Sequence, residues 1–184
     1  MLTFKDLAKT YKGIILFFVA MFAANIVWKL SIKGDESDDV VLLFNTIDIS
    51  GFFNTVSHFT TKICYICIHL FDRDIQFFNK MYLHYSNDNG VCIIWGCTGI
   101  KQSFIFLSVM LLARGSWTNK LWFVPLGLLL CYLINIMRIT AITAIVKHHP
   151  EAFDMLHGYL FKYLYYGLIF LIWIFWEEVI VKKN

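Results

Sequence analysis

The feature that most constrains this chain is a series of four apolar stretches, each close to the length at which a helix crosses a lipid bilayer. About 20 predominantly apolar residues are needed for one crossing. Four such stretches in a chain of 184 residues leave little sequence for a soluble core. We therefore expect a polytopic integral membrane protein. The expected spans are Gly13–Leu30, Thr98–Ala113, Leu121–Val146 and Tyr159–Ile180.

The composition agrees with this interpretation and indicates helices. Charged residues make up only 16% of the chain, whereas they make up about 25% of a soluble domain. The chain has only two Pro, which favours uninterrupted helices over a barrel of alternating strands. We predict an all-α, polytopic helical bundle in the membrane, with about four spans and an amphipathic helix on its outer surface. The net charge of +3 comes without a basic stripe, so no nucleic-acid partner is expected.

The basic residues predict how the spans are oriented. Lys and Arg are enriched in the cytoplasmic segments that flank membrane spans. Here they flank the first span, the connection between the second and third spans, and the C-terminus, which four crossings would place on one side. These residues are Lys5, Lys9, Lys12, Arg114, Lys120, Lys182 and Lys183. The orientation predicts that Cys97 and His157 lie at the outer face, with Arg138 in the outer half of the third span.

The organisation predicted is one membrane-embedded domain, residues 1–184, with an outer-face segment at 31–95 and a catalytic core at 96–160. Ile49–Phe71 is moderately apolar but carries polar residues at helical spacing. This pattern favours an amphipathic helix that lies on the outer membrane surface or packs over the bundle. A fifth span is the alternative. The polar positions are Asn54, Ser57, Thr61, Tyr65, His69 and Asp72.

Cys97 lies in the sequence Trp-Gly-Cys-Thr-Gly-Ile, at the head of the second apolar stretch. The N-terminus of a helix lowers the pKa of a thiol and favours the thiolate, which is the nucleophilic form. Gly96 and Gly99 flank the thiol and would leave room for a peptide backbone to approach. We interpret Cys97 as a candidate nucleophile. The alternative is a structural Cys near the start of a helix.

Arg138 and His157 are the two charged or titratable partners that the pattern suggests for this thiol. A cation inside a membrane span destabilises the protein unless it faces polar groups or water. Asn135 and Cys131 share a helical face with Arg138, so this face is expected to point into the bundle. His157 precedes the last apolar stretch, and Asp154 lies three residues earlier, where it could orient the ring. A structural Arg and an ordinary interfacial His are the alternatives.

Three short motifs now carry a resemblance. Cys-Thr-Gly-Ile at 97–100, Asn-x-x-Arg-Ile at 135–139 and a His before the last span resemble the exosortase/archaeosortase family of polytopic membrane cysteine transpeptidases. The resemblance covers about residues 90–160. Because archaeosortases carry an Arg where His157 stands, this chain is more similar to a compact exosortase.

The resemblance implies a mechanism and partners. Cys97 would be the nucleophile, Arg138 the cation of the site and His157 the acid and base. The substrates would be exported proteins with a C-terminal tripartite sorting signal, cleaved at the outer face of a bacterial plasma membrane. The product would pass to an unknown acceptor linked to lipid or polysaccharide, with membrane lipid as the other partner. No metal or organic cofactor is required.

Two other functions stay open. The first is a non-catalytic membrane assembly factor that uses Arg138 only for structure. The second is a membrane thiol redox protein that uses Cys64 and Cys67, three residues apart in the chain. Two small apolar residues on consecutive turns of a helix would give the same spacing. The count of five Cys is odd, which argues against a fully paired disulfide framework.

Overall fold

The computed structural model describes residues 4–34, 40–78 and 81–181, with only the backbone for residues 4–10 and Lys162. Within these ranges the chain is a helical membrane bundle, which confirms the predicted fold class. Two of the basic residues used to orient the bundle, Lys182 and Lys183, lie outside the described residues, as do the side chains of Lys5 and Lys9.

The helices follow the predicted apolar stretches closely. α1 forms the first span, α2 lies in the segment before the site, and α3 follows Cys97. α4 is a single long helix, and the last helical stretch begins with short turns and continues as α6. The bounds are α1 Phe4–Ser31, α2 Ser50–His69, α3 Ile100–Leu112, α4 Trp117–Val146, α5 Phe153–Met155 and α6 Phe161–Phe175. A π-helical turn, Leu156–Leu160, joins α5 to α6, and a second, Trp176–Val181, follows α6.

Three helical stretches among the described residues are long and apolar enough to cross a membrane: Tyr11–Ser31, Trp117–Val146 and Pro150–Val181. The remaining expected span, the second in the chain, is present as α3, but it has only 13 residues. It begins late because Gly99 adopts a left-handed conformation, with φ of 78°, immediately before the first helical residue. It ends early because Ala113 is extended. The expected span from Thr98 to Ala113 is therefore a shorter helix than predicted.

The segment before Cys97 contains strands that the sequence did not predict. Six short strands form two antiparallel three-stranded sheets, one on each side of α2 in the chain. The first sheet is β1 Ile32–Gly34, β2 Val41–Leu43 and β3 Ile47–Asp48; the second is β4 Gln76–Phe78, β5 Tyr82–His84 and β6 Gly90–Cys92. Each strand has only two or three residues, which is too short for an alternating pattern to stand out in the sequence.

α2 packs over the bundle against α4, which is the second of the two placements expected for it. Several of its polar side chains face the protein interior: Ser57, Thr60 and Thr61 are buried. The Thr60 hydroxyl lies 3.3 Å from the hydroxyl of Tyr132 on α4. Large apolar side chains on the opposite face, such as Phe59, are exposed. The helix therefore has its polar face toward the protein.

Three clusters of buried residues connect the elements of the described chain; the smallest joins α1, the first sheet and α2, and the other two bear on the site. One joins α1, α3, α4 and α6 through aromatic residues such as Phe17, Phe106 and Trp173. The other joins α2, the second sheet, α4 and the start of the last helical stretch, and it contains Cys97. This second cluster positions the candidate site at one end of the bundle. The loop after α3 and the end of α6 lie at the opposite end, where the Trp176 indole donates to the Arg114 carbonyl at 2.7 Å.

Candidate active site

The structure brings Cys97 and His157 together, although 60 residues separate them in the chain. The Cys97 Sγ lies 3.6 Å from Nε2 of His157. This distance permits proton transfer between a thiol and an imidazole. Cys97 is buried, whereas His157 is half-buried. The pair has the geometry of an activated nucleophile and its base.

Local backbone structure and α4 hold Cys97 in place. The residue ends a 3₁₀ turn, Trp95–Cys97, whose last amide donates to the Ile94 carbonyl at 2.9 Å. From α4, the Asn135 side-chain amide donates to the Cys97 carbonyl at 2.8 Å. Asn135 is fully buried, so this hydrogen bond fixes the backbone of Cys97 against α4.

Gly99 has a different role from the one expected. We predicted that it leaves space for a substrate, but its missing side chain makes room for Asn135. A Cβ at this position would lie 3.0 Å from Cγ of Asn135. The positive φ of Gly99 also suits a residue without a Cβ. Gly96, the other flanking glycine, lines a cavity beside the site.

The His157 ring is positioned by stacking. Phe153, one turn earlier, lies parallel to the ring at an interplanar angle of 6° and a centroid distance of 5.2 Å. Sequence reasoning missed Phe153, because an aromatic residue near a membrane surface carries no distinctive signal. Asp154, which we expected to orient the ring, has an exposed side chain. Its role stays a prediction.

Arg138 points into the bundle beside this pair. Its side chain is buried, as are Asn135 and Cys131 on the same face of α4. The guanidinium is close enough to the Cys97 thiol for the two to interact electrostatically. Its Nε atom is buried and has no hydrogen-bond partner, and no carboxylate among the described residues forms an ion pair with it. The protein thus holds a cation beside the thiol without neutralising it.

Two cavities meet at Arg138 and His157. A small one is lined by Cys97, Arg138 and His157 together with apolar residues such as Ile139. A larger one, of about 390 Å³, is lined by Arg138, His157 and polar and aromatic side chains of α1, α3 and α6. This larger cavity gives a substrate a place next to the thiol–imidazole pair.

The remaining thiols differ in accessibility: Cys64 and Cys131 are buried, Cys67 is half-buried and Cys92 is exposed. All five Cys are free in this structure. Cys64 is buried, and burial raises its pKa to about 12, which suppresses the thiolate. A redox pair needs an accessible thiol with a lowered pKa. This environment argues against the use of Cys64 and Cys67 in redox chemistry.

The family model of the transmembrane exosortases matches residues 39–177 of this chain. The match covers most of the chain and includes all three candidate site residues. It confirms the resemblance found from the motifs and supports a transpeptidase-type role in a membrane. No curated protein and no solved structure matches the chain.

Proposed function

Because this chain belongs to the transmembrane exosortase family, we propose that it is a cysteine transpeptidase that cleaves the C-terminal sorting tails of exported proteins. The observation that carries the proposal is the 3.6 Å contact between Cys97 Sγ and His157 Nε2, with the buried Arg138 beside it. A nucleophile, a base and a fixed cation are the parts that acyl transfer requires.

The first half of the proposed reaction forms a thioester. Nε2 of His157 takes the proton from Cys97, and the sulfur attacks the carbonyl carbon of the scissile peptide bond. Arg138 stabilises the oxyanion that develops on the carbonyl oxygen, since its buried Nε is an unpaired donor in a site of low dielectric constant. The C–N bond then breaks, and His157 gives its proton to the leaving amine. The tail departs, and the rest of the substrate stays bound to Cys97 as a thioester.

The second half releases the product. An acceptor amine, or water, gives a proton to His157 and attacks the thioester carbonyl. The C–S bond breaks, and Cys97 recovers its proton from the imidazolium. We expect the acceptor to be linked to lipid or polysaccharide, and the site to face the exterior of a bacterial plasma membrane. The part of the chain from Cys97 to Leu160 contains all the residues that this scheme uses.

A non-catalytic assembly factor is the second candidate, since it would keep the same fold. The unneutralised Arg138 argues against this function. A cation kept only for structure is expected to be paired, because an unpaired buried charge destabilises the folded state. The fold therefore favours a role in which Arg138 meets a ligand or a transition state.

The experiment that tests the proposal is cleavage of a tagged exported protein with a C-terminal sorting tail, produced in cells together with the enzyme. Cys97→Ala and Cys97→Ser should abolish cleavage, by a factor of about 10³ or more, because the alcohol is far less acidic than the thiol. Mass spectrometry of the wild-type enzyme should detect the substrate acyl group on Cys97, removable by hydroxylamine.

Cys131→Ala is the matched control, since Cys131 is a buried thiol on α4 that belongs to a different buried cluster from Cys97. This variant should cleave the substrate normally. His157→Ala should impair cleavage severely, whereas His149→Ala should have a mild effect because His149 is exposed and pairs with Glu151. Cleavage by a folded Cys97→Ala protein would exclude the proposed nucleophile.

A further inference from the structure

Arg138 borders two large cavities of opposite character. One is the polar cavity beside the site, and the other is an apolar groove between α4 and α6. Each has a volume of about 390 Å³. A ligand that occupied both would need a polar part and an apolar part joined at the position of Arg138.

The polar cavity is cationic. Lys29 from the end of α1, Lys101 from α3 and Arg138 from α4 line it. No Asp or Glu of the described chain is among the lining residues. Three cations on separate helices therefore face one space, and their charges favour an anionic group there.

Arg138 carries the strongest indication of a ligand. The side chain is 8% exposed, and its buried Nε has no partner. Gln102, which lines the same cavity, also has a buried side-chain oxygen without a partner. Buried polar atoms are nearly always hydrogen-bonded, so unpaired ones in a cavity indicate a group that binds there. A planar guanidinium binds a phosphate or carboxylate through two parallel hydrogen bonds.

The apolar groove faces the hydrocarbon of the membrane. It runs between α4 and α6 and is lined almost entirely by aliphatic and aromatic side chains. Met137 and Leu164, which line it, are 71% and 53% exposed, although both belong to membrane spans. An exposed apolar side chain in a span contacts lipid. The groove thus opens toward acyl chains and ends at a cation.

We propose that these two cavities form one binding site for an anionic phospholipid. The phosphate lies in the polar cavity against Arg138, Lys101 and Lys29, and one acyl chain lies in the groove between α4 and α6. Charge complementarity identifies the headgroup, and continuity with the bilayer identifies the chain. The site binds a lipid in preference to a soluble anion, because the apolar groove contacts an acyl chain and a soluble anion has none.

The inference does not depend on Cys97 acting as a nucleophile. Both proposals use Arg138, and a phosphate bound there would compete with a substrate carbonyl for its donors, but lipid binding does not use Cys97. The two proposals are therefore separable by experiment. Cys97→Ala should leave lipid binding unchanged even though it abolishes cleavage.

The test is competition for the purified full-length protein in a neutral detergent, with fluorescent phosphatidylglycerol as the probe. Unlabelled phosphatidylglycerol should compete at least tenfold better than phosphatidylcholine, and inorganic phosphate at millimolar concentration should not compete. Arg138→Gln should weaken binding about tenfold or more, and Lys101→Gln by about threefold. The matched control is Lys147→Gln, which removes a cation that follows α4 but lines neither cavity; it should bind normally.

The groove has its own pair of variants. Ala141→Trp fills the groove without changing charge and should weaken binding of the long-chain lipid about tenfold. Leu171→Trp adds the same side chain to an exposed position of α6 outside the groove and should have no effect. Displacement by inorganic phosphate would indicate a site for a free anion and overturn the proposal. Equal competition by phosphatidylcholine, or normal binding by folded Arg138→Gln and Lys101→Gln proteins, would also overturn it.

Discussion

The two cations buried on α4 have opposite surroundings. Lys120, near the start of the helix, is 5% exposed, and Arg138, in its second half, is 8% exposed. The Lys120 ammonium donates to the carbonyls of Leu111 and Ala113 at 3.1 and 2.6 Å and lies over the ring of Trp117. Arg138 has an unpartnered Nε and borders cavities.

We interpret this difference as one between a structural cation, Lys120, and a cation for which we propose a function, Arg138. Lys120 satisfies the carbonyl groups that the end of α3 leaves unpaired, so its charge is compensated within the fold. Arg138 is compensated by no acid among the described residues. Burial of a charge without a partner destabilises a protein by several kcal/mol. The unpartnered charge beside a thiol and an imidazole supports the proposal that this end of the bundle binds a ligand or a substrate.

Replacement of Arg138 should have the largest effect on substrate cleavage. Arg138→Ala should lower the rate of substrate cleavage by about 10²- to 10³-fold, since it removes the donors that stabilise the oxyanion. Arg138→Lys should lose nearly as much if the planar fork of donors is used, because an ammonium cannot make two parallel hydrogen bonds. The measurement is single-turnover cleavage at matched levels of folded enzyme. Wild-type cleavage by Arg138→Ala would remove the distinction between the two cations.

A smaller effect is expected from a change at Gly99, which packs against Asn135 of α4 next to Cys97. Gly99→Ala adds a Cβ 3.0 Å from Asn135 at a positive φ, so either Asn135 or the backbone of Cys97 must move. We expect about a tenfold loss of cleavage and a destabilisation of about 1–3 kcal/mol. Gly167→Ala is the control, because a Cβ there meets nothing within 4 Å. Equal rates for the two variants would show that the contact between Gly99 and Asn135 is unimportant.

Replacement of the structural cation, Lys120, should lower the stability of the fold and leave substrate cleavage unchanged. Lys120→Met removes two hydrogen bonds and leaves the carbonyls of Leu111 and Ala113 without their donor. We expect a loss of about 1–3 kcal/mol in the free energy of unfolding. Thermal unfolding in detergent should show a lower Tm, with normal cleavage per folded molecule at low temperature. A cleavage defect at unchanged Tm would reverse the assignment.

A third cation near this helix, Lys147, is more exposed and should have the smallest effect. It pairs with Asp72 and Asp74 and holds the pKa of the Asp72 carboxyl below its usual value. A lowered carboxyl pKa stabilises the folded state above the unfolded pKa of about 4, and this contribution is lost as pH falls below it. Lys147→Gln should therefore lower Tm slightly at pH 7 and by less at pH 3. An equal loss at both pH values would exclude the ion pair as the cause.

The sequence was informative wherever the signal is local. The length of apolar stretches predicted the helices, and the order of short motifs predicted that Cys97 and Arg138 belong to one site with His157. Asn135 was also predicted, because it shares a helical face with Arg138. Its actual hydrogen bond, to the carbonyl of Cys97, depends on how α3 and α4 pack and could not be read from spacing.

The remaining features depend on tertiary packing. The strands of the segment before Cys97 are formed by pairing between residues that carry no pattern of their own. Phe153 stacks on His157 because a 3₁₀ turn, a short α-helix and a π-turn set the rotation of this stretch. The contrast between Lys120 and Arg138 was also hidden, since both appear in the sequence as single basic residues near or within an apolar stretch.

The short length of α3 bears on the depth of Cys97 in the membrane. Thirteen residues of helix span about 20 Å, roughly 10 Å less than the hydrocarbon thickness of a bilayer. If the Arg114 end of α3 lies at one membrane surface, Cys97 would be recessed below the other. In the proposed reaction, a peptide bond would reach the sulfur only when it lies close to the segment that anchors its own chain in the lipid. The length of this helix, more than the identity of the side chains beside Cys97, would then decide how far from the anchor a substrate is cut.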